Sequence, residues 1–468
     1  MIQRIIVAEF APSYFLTPEK ETNLMRKILF PPPTLVVLAI VLSLNVYGQT
    51  CPGSPGCLDP TFGTGGMVVT SPPLADDPLY NAALDMVFQN DGKIVILARA
   101  KDTASSFQTV LVRYTADGQL DATFASGGFL YIPAEAYPGT FARRLIKQNI
   151  GGQERFVIAS GDKCSGVACI RVLRYTTAGA LDPSFGTGGV STVPSGGLFV
   201  TAALVQADQK ILLGSPQYAL VRLNANGSPD SSFGANGIAT FNDTRMMITS
   251  MVAQPDGTIL TAGSYTGGSS PDLYVARFTS NGRSDGSFGS QGKKVIDFAG
   301  LDDSAQALAV DAAGNIIAAG RANISGPMSS PQGWDAVMVR LTSRGALDNR
   351  FGTNGRTAFL NIGGGEDSFQ SVTIQSDGKI VAVGKGTLPG NSSDILVARY
   401  NANGTLDATF HGNGWNLTNI YGSDDVGRAG IIQFDPGCSC STLVVAATAL
   451  TGAANLFPQY IVGLRYNL

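Results

Sequence analysis

The sequence predicts an all-β protein, a seven-bladed β-propeller with four antiparallel strands in each blade. Three observations lead to this fold. The chain has 57 glycines and only 14% charged residues, against about 25% charged residues in a typical soluble domain. One short motif recurs seven times along the chain. The segments between its copies alternate between apolar and polar side chains and are bounded by turn residues, which is the pattern of short strands.

The recurring motif is Leu-Asp-x-Ser/Thr-Phe-Gly-x-x-Gly, kept with some drift, and its phenylalanines stand 48 to 63 residues apart. They are Phe62, Phe124, Phe185, Phe233, Phe288, Phe351 and Phe410. A fixed period of this length is typical of repeat architectures, in which each unit buries its apolar face against its neighbours. We therefore interpret the phenylalanines as core wedges with a structural role.

An apolar run that ends in an arginine precedes each copy of the motif except the first. The arginines are Arg113, Arg174, Arg222, Arg277, Arg340 and Arg399, and a seventh, Arg465, ends a run of the same kind that no copy of the motif follows. Because Arg113 and Asp121 lie on either side of one turn, the guanidinium can bind the carboxylate through paired hydrogen bonds. We predict a repeated internal ion pair that holds one blade to the next. A ring of arginines on the channel as an anion site is the less favoured alternative, since we place the arginine on the outermost strand.

A third motif, Gln-x-Asp-Gly-Lys-Ile-Val, occurs at Gln89–Val95 and Gln375–Val381. Asp-Gly between two apolar runs is a strong hairpin signal. In the first repeat the predicted strands are residues 66–70, 82–89, 93–98 and 109–114. Four strands per repeat indicate a propeller with one blade per repeat, with a linear solenoid as the competing architecture.

The two ends of the repeat region favour a closed ring. The last repeat stops after Arg465, and the motif that would follow it stands at the other end of the chain as Leu58–Gly63. We therefore expect Phe62 to pack between the seventh blade and the first.

Together the three motifs resemble the delta-60 repeat family of bacterial proteins, over the whole range Leu58–Leu468. The resemblance implies tandem repeats and no particular activity, and it brings no catalytic residues with it. Two departures stand in repeats two and three, where residues 153–156 and 206–210 lack the Asp-Gly turn.

Residues 1–48 are predicted to be a targeting segment and residues 49–468 the propeller. Basic Arg26 and Lys27 precede an apolar stretch, Leu35–Val46, that is too short for the roughly 20 residues of a membrane-spanning helix, and Gly48 fits a cleavage site. We expect a signal peptide at about residues 25–48, with translation from Met25 as an alternative start. The mature protein is then secreted, periplasmic or on the cell surface, with no transmembrane segment.

Six cysteines fit an oxidising compartment, where an even number predicts disulfides. The candidates are Cys51, Cys57, Cys164, Cys169, Cys438 and Cys440. Cys164 and Cys169 share one loop and can pair. The other four allow three pairings, one of which would clasp the ring ends. A zinc site is the alternative, but these spacings are not those of common zinc modules, so no metal is expected.

Catalytic residues are scarce. His411 is the only histidine, and it stands where five of the other repeats have glycine and one has Ala125. A triad or a common zinc site cannot be assembled in its usual form from one histidine. The net charge of −3 also disfavours nucleic acid as a partner, because nucleic-acid binding needs a basic surface. We predict that the protein is not an enzyme.

Acidic residues in the loops before the second strands, and one tryptophan, are the candidate binding residues. The acids are Asp77, Asp303, Asp367 and Asp425. They suit calcium or carboxylate-dependent sugar chemistry, although we favour turn capping and expect no cofactor. Trp334, in a variable loop on the same face, is the predicted contact residue, with burial in the core as the alternative.

The sequence thus predicts an exported, non-catalytic, monomeric binding or interaction propeller. Its ligand is a saccharide, a cell-envelope component or a protein. Two other functions stay open: a carboxylate-dependent polysaccharide hydrolase or lyase, and a surface structural protein that associates with itself.

Overall fold

The structure is a computed structural model that describes residues 53–72, 81–101, 107–132, 141–164, 167–194, 199–216, 219–241, 243–298, 300–324, 333–363, 365–388, 392–435, 440–451 and 459–468. All of them belong to one compact unit, Asn45–Leu468. The predicted targeting segment lies outside the described residues, and so do Cys51, Asp77 and Cys438.

Regular structure in the described residues consists of strands alone. They are β1 (Met67–Thr70), β2 (Ala82–Phe88), β3 (Ile94–Lys101), β4 (Phe107–Tyr114), β5 (Phe129–Ile132), β6 (Phe141–Ile150), β7 (Gln153–Cys164), β8 (Val167–Thr176), β9 (Val190–Pro194), β10 (Ala202–Val205), β11 (Ile211–Ser215), β12 (Ala219–Leu223), β13 (Ile238–Thr240), β14 (Met246–Ala253), β15 (Ile259–Tyr265), β16 (Asp272–Phe278), β17 (Lys293–Ile296), β18 (Asp303–Val310), β19 (Ile316–Asn323), β20 (Trp334–Leu341), β21 (Ser368–Ile374), β22 (Ile380–Thr387), β23 (Ser393–Tyr400), β24 (Trp415–Thr418), β25 (Asp425–Asp435), β26 (Cys440–Leu450) and β27 (Gln459–Asn467).

These strands form seven antiparallel sheets, the blades of a ring. Blades I to VI are β2–β5, β6–β9, β10–β13, β14–β17, β18–β20 and β21–β24, with the inner strand first, and blade VII is β25–β27 completed by β1. In blade V the fourth strand is reduced to isolated bridges, such as Val339 with Arg356. Neighbouring inner strands contact one another around the axis. The prediction of an all-β, seven-bladed propeller is confirmed.

The ring is closed by a strand from the other end of the chain. β1 pairs antiparallel with β27, from Met67 opposite Leu464 to Thr70 opposite Ile461. The strand after each motif therefore completes the preceding blade, and our grouping of residues 66–70 with the first repeat was wrong by one strand. The same offset places Arg113 on the third strand of its blade, rather than on the outermost one.

A loop segment near the start of the described chain also joins the ring ends. His411 N donates to Pro55 O at 2.9 Å, as Gly63 N donates to Asp117 O of the next blade at 2.7 Å. A Cβ on Gly56, which has a φ of 90°, would meet the His411 side chain and the Phe410 ring. The segment around Pro55 thus supplies the turn that blade VII does not have.

The apolar core lies between blades, in one buried cluster for each of the seven interfaces. Each cluster contains one motif phenylalanine, buried to within 1% exposure. Phe62 packs with Ile94 of blade I and Ile461 of blade VII. Since burying an aromatic side chain removes about 150–250 Å² from water, these interfaces supply much of the force that holds the ring together.

The two unusual repeats keep their hairpin turns by other means. In blade III, Gln209 takes the left-handed conformation with a φ of 64°, where Gly92 has 84° in blade I. In blade II, Gly151 and Gly152 form the turn. Gln148 accepts from Arg174 Nη1 at 2.9 Å, as Gln89 does from Arg113. The motif glutamine of blade II is therefore Gln148, whereas the sequence had suggested Gln153.

Candidate functional site

The face of the ring that carries the inner hairpin turns, here called the turn face, repeats one charged unit. In blade I, Arg113 Nε donates to Asp121 Oδ2 at 2.8 Å, and its guanidinium lies 4.4 Å from the centre of the Phe124 ring. The other six pairs are Arg174–Asp182, Arg222–Asp230, Arg277–Asp285, Arg340–Asp348, Arg399–Asp407 and Arg465–Asp59, at 2.7–3.0 Å. Each arginine stacks on the phenylalanine that follows its own pair in the repeat order.

The ion pair itself lies within a blade, and a separate bond reaches the neighbour. Arg174 Nη1 donates to Ala225 O of blade III at 2.6 Å, and Arg465 Nη1 to Ala116 O of blade I at 2.9 Å. Burial opposes ionisation of Asp182, but hydrogen bonds from Ser184 and Arg155 lower its pKa to about 2. These arginines are already bound on several sides, so they form no free anion site.

Three of the four predicted acidic binding residues lie buried where the inner strands begin. Asp367 accepts from Ile362 N and Thr387 N, both at 2.8 Å. Asp425 accepts from Ile420 N at 2.7 Å. Burial raises the pKa of Asp367 to about 6 and that of Asp425 to about 8. Asp303 is only 1% exposed, and Asp77 lies outside the described residues.

Trp334, the predicted contact residue, is only 6% exposed. The Arg321 guanidinium lies 4.0 Å from the centre of its ring. The indole therefore lies in the core, as in the alternative that the sequence left open. The variable loops around it fall largely outside the described residues.

The central channel is lined differently, by a β-bulge that recurs in the inner strands. The pairing register slips by one residue in six blades. The extra residues are Leu84, Arg143, Thr249, Gln306, Gln370 and Arg428. A bulge leaves its extra residue outside the strand ladder and redirects the side chain. With Ala82, Arg99, Arg144 and Thr201 they line a cavity of about 420 Å³ to which every blade contributes.

The channel cavity is strongly cationic. Four arginines line it, and no acidic residue is among its described lining residues. Arg144 is fixed in place, since its Nε donates to Thr201 O at 2.7 Å and its Nη2 to Thr249 O at 3.3 Å. Arg143 and Arg428 are exposed to the cavity and form no ion pair with any described residue.

The guanidinium groups in the channel influence one another. Burial, and then the charge of Arg143, lowers the pKa of Arg99. Arg428 is exposed to the cavity but lies deep in the ring, and this partial loss of water, followed by the charge of Arg99, lowers its pKa. Like charges held together in a cleft focus a positive potential, and guanidinium forks match carboxylate and phosphate groups. The arrangement is suited to an anion, with Gln306 and Gln370 able to bind hydroxyl groups beside it.

The repeat pattern does not predict the channel arginines, because Arg143 and Arg428 each occur in a single blade. A signal was present, however. In three blades the bulge residue that lines the channel follows an aspartate by three positions. Gln306, Gln370 and Arg428 follow Asp303, Asp367 and Asp425 in this way. The corresponding residue before Leu84 is Asn81, not Asp77.

A larger groove of about 880 Å³ lies between blades III and IV. Asp243 binds two of its bases, Arg245 at 2.7 Å and Lys293 at 3.0 Å. Phe241 and Phe278 stack there at 4.2 Å. Arg283 is the one lining base without an ion pair to a described residue, so this groove holds less unpaired charge than the channel with its four arginines.

The cysteines and the membrane prediction are only partly covered by the described residues. Cys57, Cys169 and Cys440 are not free thiols, and which cysteine each of them pairs with stays a prediction. Across the described ranges there is no helix with the length and apolar character to span a membrane.

One family model matches the chain, that of a β-propeller domain of unknown function (DUF5122). It matches residues 89–124, 155–185, 206–233, 254–288 and 375–410. These segments run from the hairpin turn of a blade to the motif phenylalanine, and therefore contain the charged unit of the turn face. A search of curated proteins found no match.

The chain is similar to several solved structures, and one of them is described as a β-propeller domain. U3-55K is 12% identical, with 85% of this chain and 98% of that chain covered and a TM-score of 0.45. The WD40 β-propeller domain of Doa1 is 12% identical, with 82% and 93% covered and a TM-score of 0.40. PorZ, a surface component of the type-IX secretion system of Porphyromonas gingivalis, is 11% identical, with 82% and 46% covered and a TM-score of 0.41. The five family matches, together with the seven blades, identify the chain as a repeat β-propeller.

Proposed function

We propose that this protein is an exported, non-catalytic binding propeller that takes the acidic group of an envelope saccharide into its central channel. The observation that carries the proposal is the cluster of Arg99, Arg143, Arg144 and Arg428 in a cavity with no acidic lining residue among those described. A rigid propeller is best suited to binding, and the positive charge of the arginines indicates that the ligand is negatively charged.

The size of the cavity favours a saccharide over a protein surface. Ligand pockets for small molecules typically measure about 300–1,000 Å³, and about 420 Å³ suits one or two sugar units. A uronate or phosphorylated sugar presents one anionic group and several hydroxyls. Arginine forks would bind the former, and Gln306 and Gln370 the latter.

The alternative of a hydrolase or lyase that works through carboxylates has less support. Such enzymes place two acids on either side of the scissile bond, whereas the described channel lining contains arginines, glutamines and small residues. The nearest repeated acids, Asp367 and Asp425, are buried and bound to backbone N–H groups. We therefore keep the expectation that the protein binds without turnover, as a monomer.

Export remains part of the proposal and rests on residues 1–48 and the six cysteines. A disulfide in the Cys164–Cys169 loop would constrain the loop between the second and third strands of blade II. Peptide mapping without reduction would report the pairs, and mass spectrometry of the protein from the culture or periplasm would report the mature start.

The test is binding of the purified exported protein to an array of acidic oligosaccharides, each beside its neutral counterpart. We expect capture of acidic members only, weakened by salt because the contact is between charges. The double variant Arg143→Gln, Arg428→Gln should lose at least about tenfold in affinity, or about 1.4 kcal/mol. Arg283→Gln, which removes an exposed guanidinium from the groove between blades III and IV, is the matched control.

Three results would count against the proposal. Equal capture of neutral and acidic sugars would show that the charge of the ligand does not contribute to binding. Loss of binding in the Arg283→Gln variant alone would move the site to the groove. A blank array, with a protein captured instead and its binding unaffected by the double variant, would leave a protein-interaction propeller whose channel is not the site.

A further inference from the structure

Three carboxylates meet on the side of the ring opposite to the turn face, here called the loop face. Asp272 begins β16 in blade IV, Asp297 follows β17 in the same blade, and Asp303 begins β18 in blade V. One ligand oxygen from each lies within 4.8 Å of the others. Three acids from two blades are therefore brought to one point.

The same three positions recur at the next two blade boundaries, but with an amide in the middle. They are Asp335, Asn361 and Asp367 between blades V and VI, and Asp394, Asn419 and Asp425 between blades VI and VII. Asn361 Nδ2 donates to Asp335 Oδ1 at 2.9 Å, and Asn419 Nδ2 donates to Asp394 Oδ1 at 2.6 Å. Between blades IV and V Asp297 replaces the amide, so a hydrogen bond gives way to a third carboxylate.

Asp303 provides an independent sign that a ligand is missing from this network. Its side chain is only 1% exposed. Oδ2 accepts from Phe298 N at 2.8 Å, but Oδ1 has no hydrogen-bond partner among the described residues. In Asp367 the same oxygen accepts from Thr387 N at 2.8 Å, whereas the equivalent N–H, that of Asn323, donates to Asp302 O at 2.9 Å and lies near Asp303 without the geometry of a hydrogen bond to Oδ1.

A buried carboxylate oxygen without a partner is costly, and the neighbouring acids add to that cost. Asp272 and Asp297 each bring a carboxylate oxygen within 4.8 Å of an oxygen of Asp303, and like charges at this range repel one another. A cation among the three groups would satisfy the unpartnered oxygen and relieve the repulsion together.

We propose that Asp272, Asp297 and Asp303 bind one divalent cation, calcium by preference, between blades IV and V. Calcium takes oxygen ligands at about 2.3–2.6 Å in a flexible geometry and accepts water for the remainder. Two oxygens on opposite sides of such an ion stand about 4.8 Å apart, so three oxygens that all lie within 4.8 Å of one another can bind the same ion. Magnesium, which requires near-octahedral geometry and keeps its water, fits three fixed carboxylates less well.

The experiment is calcium titration of the purified exported protein by calorimetry, with thermal unfolding in calcium, in magnesium and in chelator. We expect one saturable calcium site for each chain and a higher Tm in calcium than in chelator. Asp297→Asn copies the amide of the sister boundaries. It should weaken calcium binding at least about tenfold, while its Tm in chelator equals or exceeds that of the parent protein.

The chain also offers a gain-of-binding control. Asn419→Asp recreates the three-acid arrangement between blades VI and VII, and should add a second calcium site in an otherwise unchanged protein. The proposal is overturned if the parent protein shows neither calcium binding nor a rise of Tm, or if the Asp297→Asn variant binds calcium as tightly as the parent protein.

Discussion

The turn face and the loop face are built from the same seven repeats but treat charge in opposite ways. On the turn face each arginine has an aspartate at 2.7–3.0 Å, an aromatic ring beneath it and, in most blades, a carbonyl of the next blade. On the loop face and in the channel, Arg143 and Arg428 are exposed without an ion pair among the described residues, and Asp303 keeps a buried oxygen without a partner.

The difference separates structure from function. A residue that recurs in every blade makes the same contact in every blade, and on the turn face that contact stabilises the blade or joins it to its neighbour. A residue found in one blade only is not needed for these repeated contacts. We therefore expect substitutions on the turn face to change stability, and substitutions at the departures on the other side to change binding.

The largest effect should come from the wedges of the turn face. Phe288→Ala removes a fully buried ring between blades IV and V, and such a truncation costs about 3–5 kcal/mol of unfolding free energy. Phe359, which is 41% exposed, is the matched control and should lose less than about 1 kcal/mol as Phe359→Ala. Denaturant unfolding measures both. Similar losses for the two variants would contradict the assignment of the wedge.

Deleting one guanidinium on each face sharpens the comparison. Arg277→Ala leaves Asp285 without its partner and Ser343 O without a donor, so we expect a loss of about 2–3 kcal/mol. Arg143→Ala should stay within about 0.5 kcal/mol of the parent protein, because it holds nothing in place. Equal losses would mean that Arg143 is structural, and would weaken the binding role of the channel.

The buried acids of the loop face predict a dependence of stability on pH. Burial raises the pKa of Asp425 to about 8, so the folded protein retains a proton that the unfolded chain has lost. Stability should therefore fall as the pH rises from about 4 towards 8, by an amount on the order of 1 kcal/mol per pH unit. Urea unfolding at several pH values should give a flatter profile for Asp425→Asn. Parallel profiles would assign the dependence to other groups.

The smallest expected effect is a gain. His411 has a φ of 52°, at the position where Gly63 has 54°, and the left-handed conformation costs a residue with a side chain about 1–2 kcal/mol. His411→Gly should therefore stabilise the protein, by about 1 kcal/mol or less once the greater entropy of glycine in the unfolded chain is counted. A loss of stability, or any loss of ligand capture, would show that the imidazole has a role that the repeat pattern conceals.

The sequence predicted the propeller well because its repeated residues report directly on the fold. Phe62 and Arg465 lie far apart along the chain, yet their places in the motif were enough to predict that Phe62 packs between the seventh blade and the first. The channel and the acid cluster were harder, for physical reasons. Arg143 and Arg428 reach the axis through bulges, which depend on register, and Asp272 meets Asp303 only because two blades are adjacent in space.

The grouping of strands was also beyond a reading of the repeat alone. A repeat can be cut at any point of its period, so residues 66–70 looked like the start of the first blade. Their backbone pairs with β27 instead, because the ring needs a strand from each end in one sheet. The tryptophan shows a similar limit, since the pattern places Trp334 near the loop face but does not fix the direction of its side chain.

Closure by β1 has a consequence for the way the protein folds. The strand made first must wait for β27, made last, before blade VII can form, and the sequence separation of this contact is nearly the whole propeller. Contacts between distant parts of a chain slow folding, and an unpaired strand edge invites association with other chains. The ring is therefore expected to close only after the whole chain has been made, and this order of events would suit the export that we propose.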